Sequence, residues 1–204
     1  MDLLLALAVF CTVTLFTPGP NNLMLMTSGL NFGFRRGMPH LLGVVLGFTL
    51  MVLIVGFGLG AIFQAWPLLY VVLKYAGAIY LLYLAWEIAV SPPPGQRSES
   101  TRGQIGFLQA AGFQWVNPKA WVMAVSSVST YAAVAPFPLN VIVIAALYGV
   151  LGLASSGTWL GFGAALQRVL KHPRAVRAFN IVMALLLVAS LYPIFTDGLP
   201  GSVP

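Results

Sequence analysis

Charge is what this chain lacks. Charged residues make up 7% of its 204 positions and only four are acidic, whereas a soluble domain carries charge at about a quarter of its positions. Apolar residues fill 59% of the chain and mean hydropathy is +0.92, so water cannot wet its surface and the bilayer is the expected solvent. Cysteine is nearly absent too. A single Cys11 forms neither an internal disulfide nor a CxxC pair, which excludes a thiol–disulfide carrier; inside its apolar run it reads as a small buried apolar residue. The two histidines, His40 and His172, lie near basic loops and are expected at the interface, and no aspartate falls inside an apolar run. Zinc, aspartyl and serine–histidine intramembrane hydrolysis each need such groups within the bilayer, so the chain is not expected to be an enzyme, and neither a metal nor a cofactor is expected.

What is present is a series of apolar runs. A helix needs about 20 mainly apolar residues to cross the bilayer core. Six stretches qualify: about Leu3–Ser28, Met38–Phe63, Leu68–Val90, Phe107–Tyr131, Leu139–Leu166 and Ala175–Phe195. Transmembrane strands would alternate apolar with polar residues, and these runs do not. The first run has no basic residue before it and no small-residue cleavage pattern after it, so it reads as a retained span rather than a signal peptide.

The net charge of +6 forms no aromatic-interleaved patch of the kind that binds nucleic acid. It sits in alternate loops instead. Arg35 and Arg36 fall in the first loop, Arg97 and Arg102 in the third, and Arg168, Lys171, Arg174 and Arg177 in the fifth. The second loop, near Gln64–Pro67, and the fourth, near Ala132–Pro138, carry no charge. Basic loops stay cytoplasmic, so the odd loops face inward and both termini, with Asp2 and Asp197, face outward.

The third loop, Ser91–Gln104, holds Pro92–Pro93–Pro94 and Gly95 and divides three spans from three. The expected architecture is an all-α membrane protein forming one domain over 1–204. It has two inverted three-helix repeats, about 3–90 and about 107–196, joined by a cytoplasmic linker of about 91–106. A glycine echo supports the division: Gly56–Phe57–Gly58 recurs as Gly161–Phe162–Gly163, and Gly47 to Gly58 has the separation of Gly152 to Gly163.

Two motifs interrupt the first span of each half: Thr17–Pro18–Gly19–Pro20–Asn21–Asn22 and Asn117–Pro118–Lys119. Proline removes a backbone donor and clashes with the preceding turn. Thr17 and Asn117 are N-cap residues placed directly before a proline at the first helical position, so each motif reads as the start of a second half-helix. In inverted halves these helix starts oppose each other, and about 1.5 Å of rise per residue places Pro118 and Lys119 roughly 17 Å from the membrane surface, near the midplane. Two positive helix ends beside Lys119 would hold a carboxylate, and paired discontinuous helices point to a transporter's binding site. Either motif alone is as compatible with a proline kink as with a site; the matched pair favours a site.

Of the other polar residues, Lys119 is the strongest candidate, because an ionisable group at that depth is costly unless it works. Lys74 can snorkel to the outer surface, and Glu87 beside Trp86 reaches the cytoplasmic headgroups. Gly43 and Gly47, and Gly157 and Gly161, form GxxxG pairs that suit folding or a homodimer alike.

The same motifs carry a resemblance. Thr17–Asn22 followed by Gly33, Arg35 and Gly37, then Gly77–Ala78–Ile79–Tyr80–Leu81 and Asn117–Pro118–Lys119–Ala120, resemble the LysE/RhtB family of bacterial amino-acid exporters from about Leu5 to Leu191. Gly33–Phe34–Arg35, Ser126–Tyr131 and Asn180–Val188 are most similar to its cysteine/O-acetylserine branch. Ser129–Thr130–Tyr131 replaces the family's usual Pro-x-Phe, which sets the chain apart from the lysine and arginine exporters. The resemblance implies a secondary transporter of the bacterial inner membrane, exporting a small neutral amino acid or derivative (cysteine/O-acetylserine-like or homoserine/threonine-like) by antiport driven by the proton gradient. The partners implied are that substrate and lipid. A helper subunit, or an exporter of another small metabolite, is the alternative.

The loop charges generate a test. In a Cys11→Ala background, Ser98→Cys should react with an impermeant maleimide only from the cytoplasmic side, and Ala133→Cys only from outside. Labelling of both from one side would break the six-span count.

Overall fold

The computed structural model describes residues 2–59, 67–91, 104–170 and 172–192. Among them are helices α1 (Asp2–Phe16), α2 (Pro20–Ile54), α3 (Pro67–Ala89), α4 (Phe107–Gln114), α5 (Pro118–Thr130), α6 (Leu139–Val169) and α7 (Pro173–Ala189), with no strand. A π-helical turn, Val55–Leu59, ends α2, and a 3-10 turn, Ala132–Val134, follows α5. Helices occupy part of each of the six expected apolar stretches. By length and composition two segments, Pro20–Gly58 and Leu139–Val169, are long and apolar enough to cross a membrane, while Asp2–Phe16 and Tyr75–Ala89 are shorter apolar helices. Most of the expected proline-rich linker, the second loop, Lys171, Asp197 and the side chain of Lys74 lie outside the described residues.

The chain turns between the first two apolar stretches in an unexpected way. A loop was expected around Arg35 and Arg36, yet both arginines are helical and exposed. The reversal is made at Gly33 alone, whose φ of 78° and ψ of 171° are open to glycine and strained for any side chain. α2 is therefore two arms, the inner 20–32 and the outer 34–54, joined by one residue.

Lipid is as apolar as leucine, so helices in a bilayer associate through close packing rather than hydrophobic burial. The inner arm of α2 meets α6 backbone to backbone: a Cβ on Gly29 would overlap the Leu160 carbonyl, and one on Gly163 would overlap that of Met26. The outer arm meets α4 in the same manner, with Gly43 against the Phe107 carbonyl and Gly47 against Ala111. This first GxxxG pair serves folding. In the second pair, Gly157 meets nothing and Gly161 makes only ordinary contact with Phe34. The glycine echo is likewise not one of equivalent roles, since Gly58 supplies a φ of 124° in the π-helical turn and Gly163 supplies close approach.

Two cores result. One gathers Leu25, Leu41, Leu81, Leu84, Phe113 and Leu187 from α2, α3, α4 and α7. The other gathers Leu7, Cys11, Phe48, Met51, Ala124, Ile144 and Tyr148 from α1, α2, α5 and α6. Cys11 is fully buried in it, as expected. The outer faces carry exposed Leu5, Leu46, Ile79, Leu108, Val150 and Phe162, which makes this a surface for lipid rather than water.

His40, expected near the interface, is fully buried among the helices, with Nδ1 2.7 Å from Ser28 Oγ. His172, just before α7, is exposed.

The glycine contact sets a stability prediction. Gly29→Val or Gly163→Val should cost about 1–3 kcal/mol through overpacking, lowering the thermal midpoint of the purified protein in detergent. Gly157→Ala should leave it unchanged; equal losses at all three positions would mean that α2 and α6 do not meet there.

Candidate functional site

The first break strips α1 of its last helical donors. Pro18 and Pro20 have no N–H, and Gly19 between them is extended, with φ −173° and ψ 179°, as a residue before proline must be. The absent N–H groups are those that would serve Thr14 and Phe16, and the extended Gly19 carries the amides of Gly19 and Asn21 out of helical register with the carbonyls of Leu15 and Thr17. Side chains replace them. Asn22 Nδ2 donates to Leu15 O at 2.9 Å and to Thr17 O at 3.0 Å. Ser155 Oγ of α6 donates to Leu15 O at 2.9 Å, and Lys119 Nζ of α5 donates to Thr17 O at 2.6 Å. Buried carbonyls in a bilayer demand such partners.

At the second break the amides of Trp115, Val116 and Asn117 bond three residues back, at 3.2, 3.1 and 3.4 Å, tightening the chain before α5 restarts. Asn117 is the N-cap there, its Oδ1 accepting from Lys119 N at 3.1 Å. Trp121 Nε1 takes the freed Trp115 carbonyl at 2.8 Å. Gly77 of α3 lies against the Val116 carbonyl, where no Cβ would fit.

The two breaks are tied together by an amide pair. Asn21 Nδ2 donates to Gln114 Oε1 at 2.8 Å and Gln114 Nε2 donates back to Asn21 Oδ1 at 3.1 Å. Beside the pair lies a cavity of about 40 Å³. Its polar side is formed by Thr14, Asn21, Asn22, Gln114, Asn117, Lys119, Tyr148, Ser155 and Ser156, and its apolar side by Val44, Val45, Phe48, Ala120, Met123 and Gly152. The Lys119 stem crosses Gly19, where a Cβ would sit 3.0 Å from Cδ and 3.1 Å from Nζ and would press the side chain aside by a few tenths of an ångström.

Of the residues expected at a site, Gly19, Asn21, Asn22, Asn117 and Lys119 line this cavity. Thr17 and Pro18 do not play the parts expected of them. The half-helix restarts at Pro20, with Gly19 as an N-cap that has no side-chain bond. The extended Gly19 forces that shift to the second proline. Thr17 Oγ1 instead bonds back to Val13 O at 2.6 Å, and Thr17 contributes only its carbonyl. Pro18 is exposed, while Pro20 and Pro118 open α2 and α5 without lining the cavity. Gln114, Thr14, Tyr148 and the Ser155–Ser156 pair were missed. The available signal was a polar residue within an apolar run. Among the described residues no three His, Cys, Asp or Glu side chains group to hold a metal.

The family model described as LysE type translocator matches residues 12–190. The chain belongs to that family. It is 33% identical over 197 residues, 95% of this chain and 97% of the relative, to the cysteine/O-acetylserine efflux protein of Salmonella typhimurium strain LT2. The protein of that name in Escherichia coli strain K12 matches with the same identity and coverage. No solved structure matches the chain. Membership makes this an integral membrane translocator rather than an enzyme.

Asn22→Ala removes a partner from two carbonyls and should cost about 1–3 kcal/mol, read as a lower thermal midpoint in detergent. Thr17→Val, altering an exposed side chain bonded within its own turn, should leave the midpoint unmoved. The reverse order would place the support of the break on Thr17.

Proposed function

We propose that this protein exports a small neutral amino acid or derivative from the cytoplasm across the bacterial inner membrane by antiport driven by the proton gradient. The observation that carries this reading is the pairing of two helix starts, Pro20 and Pro118, with one cation and two side-chain-satisfied carbonyls around a single cavity. Helix N-termini and Lys119 suit a carboxylate. The carbonyls of Leu15 and Thr17 suit an ammonium, for which Lys119 Nζ now stands on Thr17 O. Val44, Val45, Phe48 and Met123 leave an uncharged wall for the side chain, which favours a small neutral substrate over a basic one. The relatives named as cysteine/O-acetylserine efflux proteins support the same substrate class.

The reading includes six spans in two inverted three-helix repeats with both termini outside. It is supported by the alternating loop charges and by a broken helix pair opening each half. Substrate would bind among Gly19, Asn21, Asn22, Asn117 and Lys119, with Pro20 and Pro118 setting the helix starts, and with Gln114 and Ser155 beside them.

The test is expression in a bacterium with every amino acid quantified in the medium, against Lys119→Ala at matched membrane level. One or a few amino acids should rise outside, and the rise should fall at least about tenfold in the variant, as loss of a hydrogen bond to a charged group does. No rise for any amino acid would turn the reading to a helper subunit or another metabolite. A rise that survives Lys119→Ala would keep the exporter and discard this site.

A further inference from the structure

We propose that His40, held on Ser28, is the residue that takes up and releases the proton during the exchange cycle; the assignment rests on the exporter reading above. The imidazole is fully buried. Its Nδ1 lies 2.7 Å from Ser28 Oγ, and its buried Nε2 has no hydrogen-bond partner among the described residues. An unsatisfied buried polar atom costs about 1–3 kcal/mol, and an ionisable ring inside a membrane helix marks an ion or substrate path by default. Histidine is also the side chain whose ordinary titration spans physiological pH.

Its position fits the task. Ser28 lies seven residues beyond Asn21 on the inner arm of α2, about 10 Å along the helix from the cavity toward the Gly33 turn. On the outer arm His40 precedes Val44 and Phe48 by one and two turns, and both of these line the cavity. The ring therefore occupies the stripe of the outer arm that leads to the cavity, between it and the basic turn at Arg35 and Arg36.

The described groups around it provide no counter-charge. α4 carries no titratable side chain; α6 has Tyr148, which lines the cavity, and an exposed Arg168; α7 has exposed Arg174 and Arg177. α2 itself adds exposed Arg35 and Arg36. α3 adds Tyr75, Tyr80, Tyr83 and a half-buried Glu87 near its cytoplasmic end. Lys119 is already committed to Thr17 O. Among the described residues no carboxylate touches His40, and protonation belongs to a state in which water or a substrate carboxylate reaches the ring. Whichever way the hydrogen between Nδ1 and Ser28 runs, Nε2 is the open end. With Nδ1 donating, the Nε2 lone pair accepts the proton and the imidazolium later releases it there; with Nδ1 accepting, the neutral ring takes its proton at Nδ1 once the Ser28 hydroxyl turns away, and the imidazolium discharges through the Nε2–H.

The full chain, reconstituted in liposomes with O-acetyl-L-serine as probe, separates the two halves of the cycle. Exchange without a pH gradient reports binding and movement, and accumulation against an imposed gradient reports coupling. His40→Gln should keep exchange within about twofold and lose gradient-driven accumulation at least about tenfold, a split that a merely structural ring would not give. Accumulation that survives His40→Gln overturns the assignment. If His40→Gln loses exchange as well, Ser28→Ala decides, because it keeps the ring and removes its Nδ1 partner. A displacement of the pH profile of accumulation by about half a unit or more supports the assignment, and an unmoved profile overturns it. Absence of exchange by the unmodified protein for every amino acid tried overturns the exporter reading and this assignment together. Exchange that ignores the gradient leaves the exporter standing and overturns the assignment alone.

Discussion

Everything at the centre of this protein follows from the fact that a carbonyl in hydrocarbon must have a donor. A continuous helix supplies donors from its own backbone, and water supplies them elsewhere. The Pro-Gly-Pro run withdraws that internal supply from Leu15 and Thr17, and the surrounding helices must make it good. Asn22, Ser155 and Lys119 do so from α2, α6 and α5. One local irregularity thereby fastens two distant parts of the chain to the next turn of its own, and the polar room these side chains occupy is the cavity.

The same logic explains why the centre is polar without being acidic. Amides, hydroxyls and one ammonium can satisfy carbonyls directly, whereas a carboxylate has no donor to offer when ionised. A site assembled from helix starts is already positive on balance, so it draws an anionic group without spending a buried arginine. The reciprocal Asn21–Gln114 pair closes the arrangement by making each break a partner of the other.

Much of this was legible in the residues. The two breaks were visible because proline in a membrane run has few consequences other than a kink or a site, and Asn21, Asn22, Asn117 and Lys119 are polar at a depth where polarity is costly. Helix positions were legible from the apolar runs. The exact restart at Pro20 was not, because either proline is acceptable at the first helical position and only the extended Gly19 separates them. The Gly33 turn was hidden by the arginines after it, which suggested loop but sit exposed on a helix. The burial of His40 was not legible, because nearness to a basic turn in sequence says nothing of which helices cover the ring. A turn of a single residue puts both arms under cover within two helical turns. Gln114 and Ser155 carried a signal in their surroundings alone, and their roles depend on partners more than ninety residues away.

The glycine contacts between the inner arm of α2 and α6 have a mechanical meaning. Side chains between two helices act as a compliant layer: rotamers swing, and one helix can slide a little while the other stays. Gly29 and Gly163 leave no such layer, and main chain rests on main chain. Displacement of either helix there must be passed to the other undiminished. The arm bearing Asn21 and Asn22 and the helix bearing Ser155 thus form a single stiff strut, and any rearrangement that admits a solute has to yield along its flanks rather than through its middle.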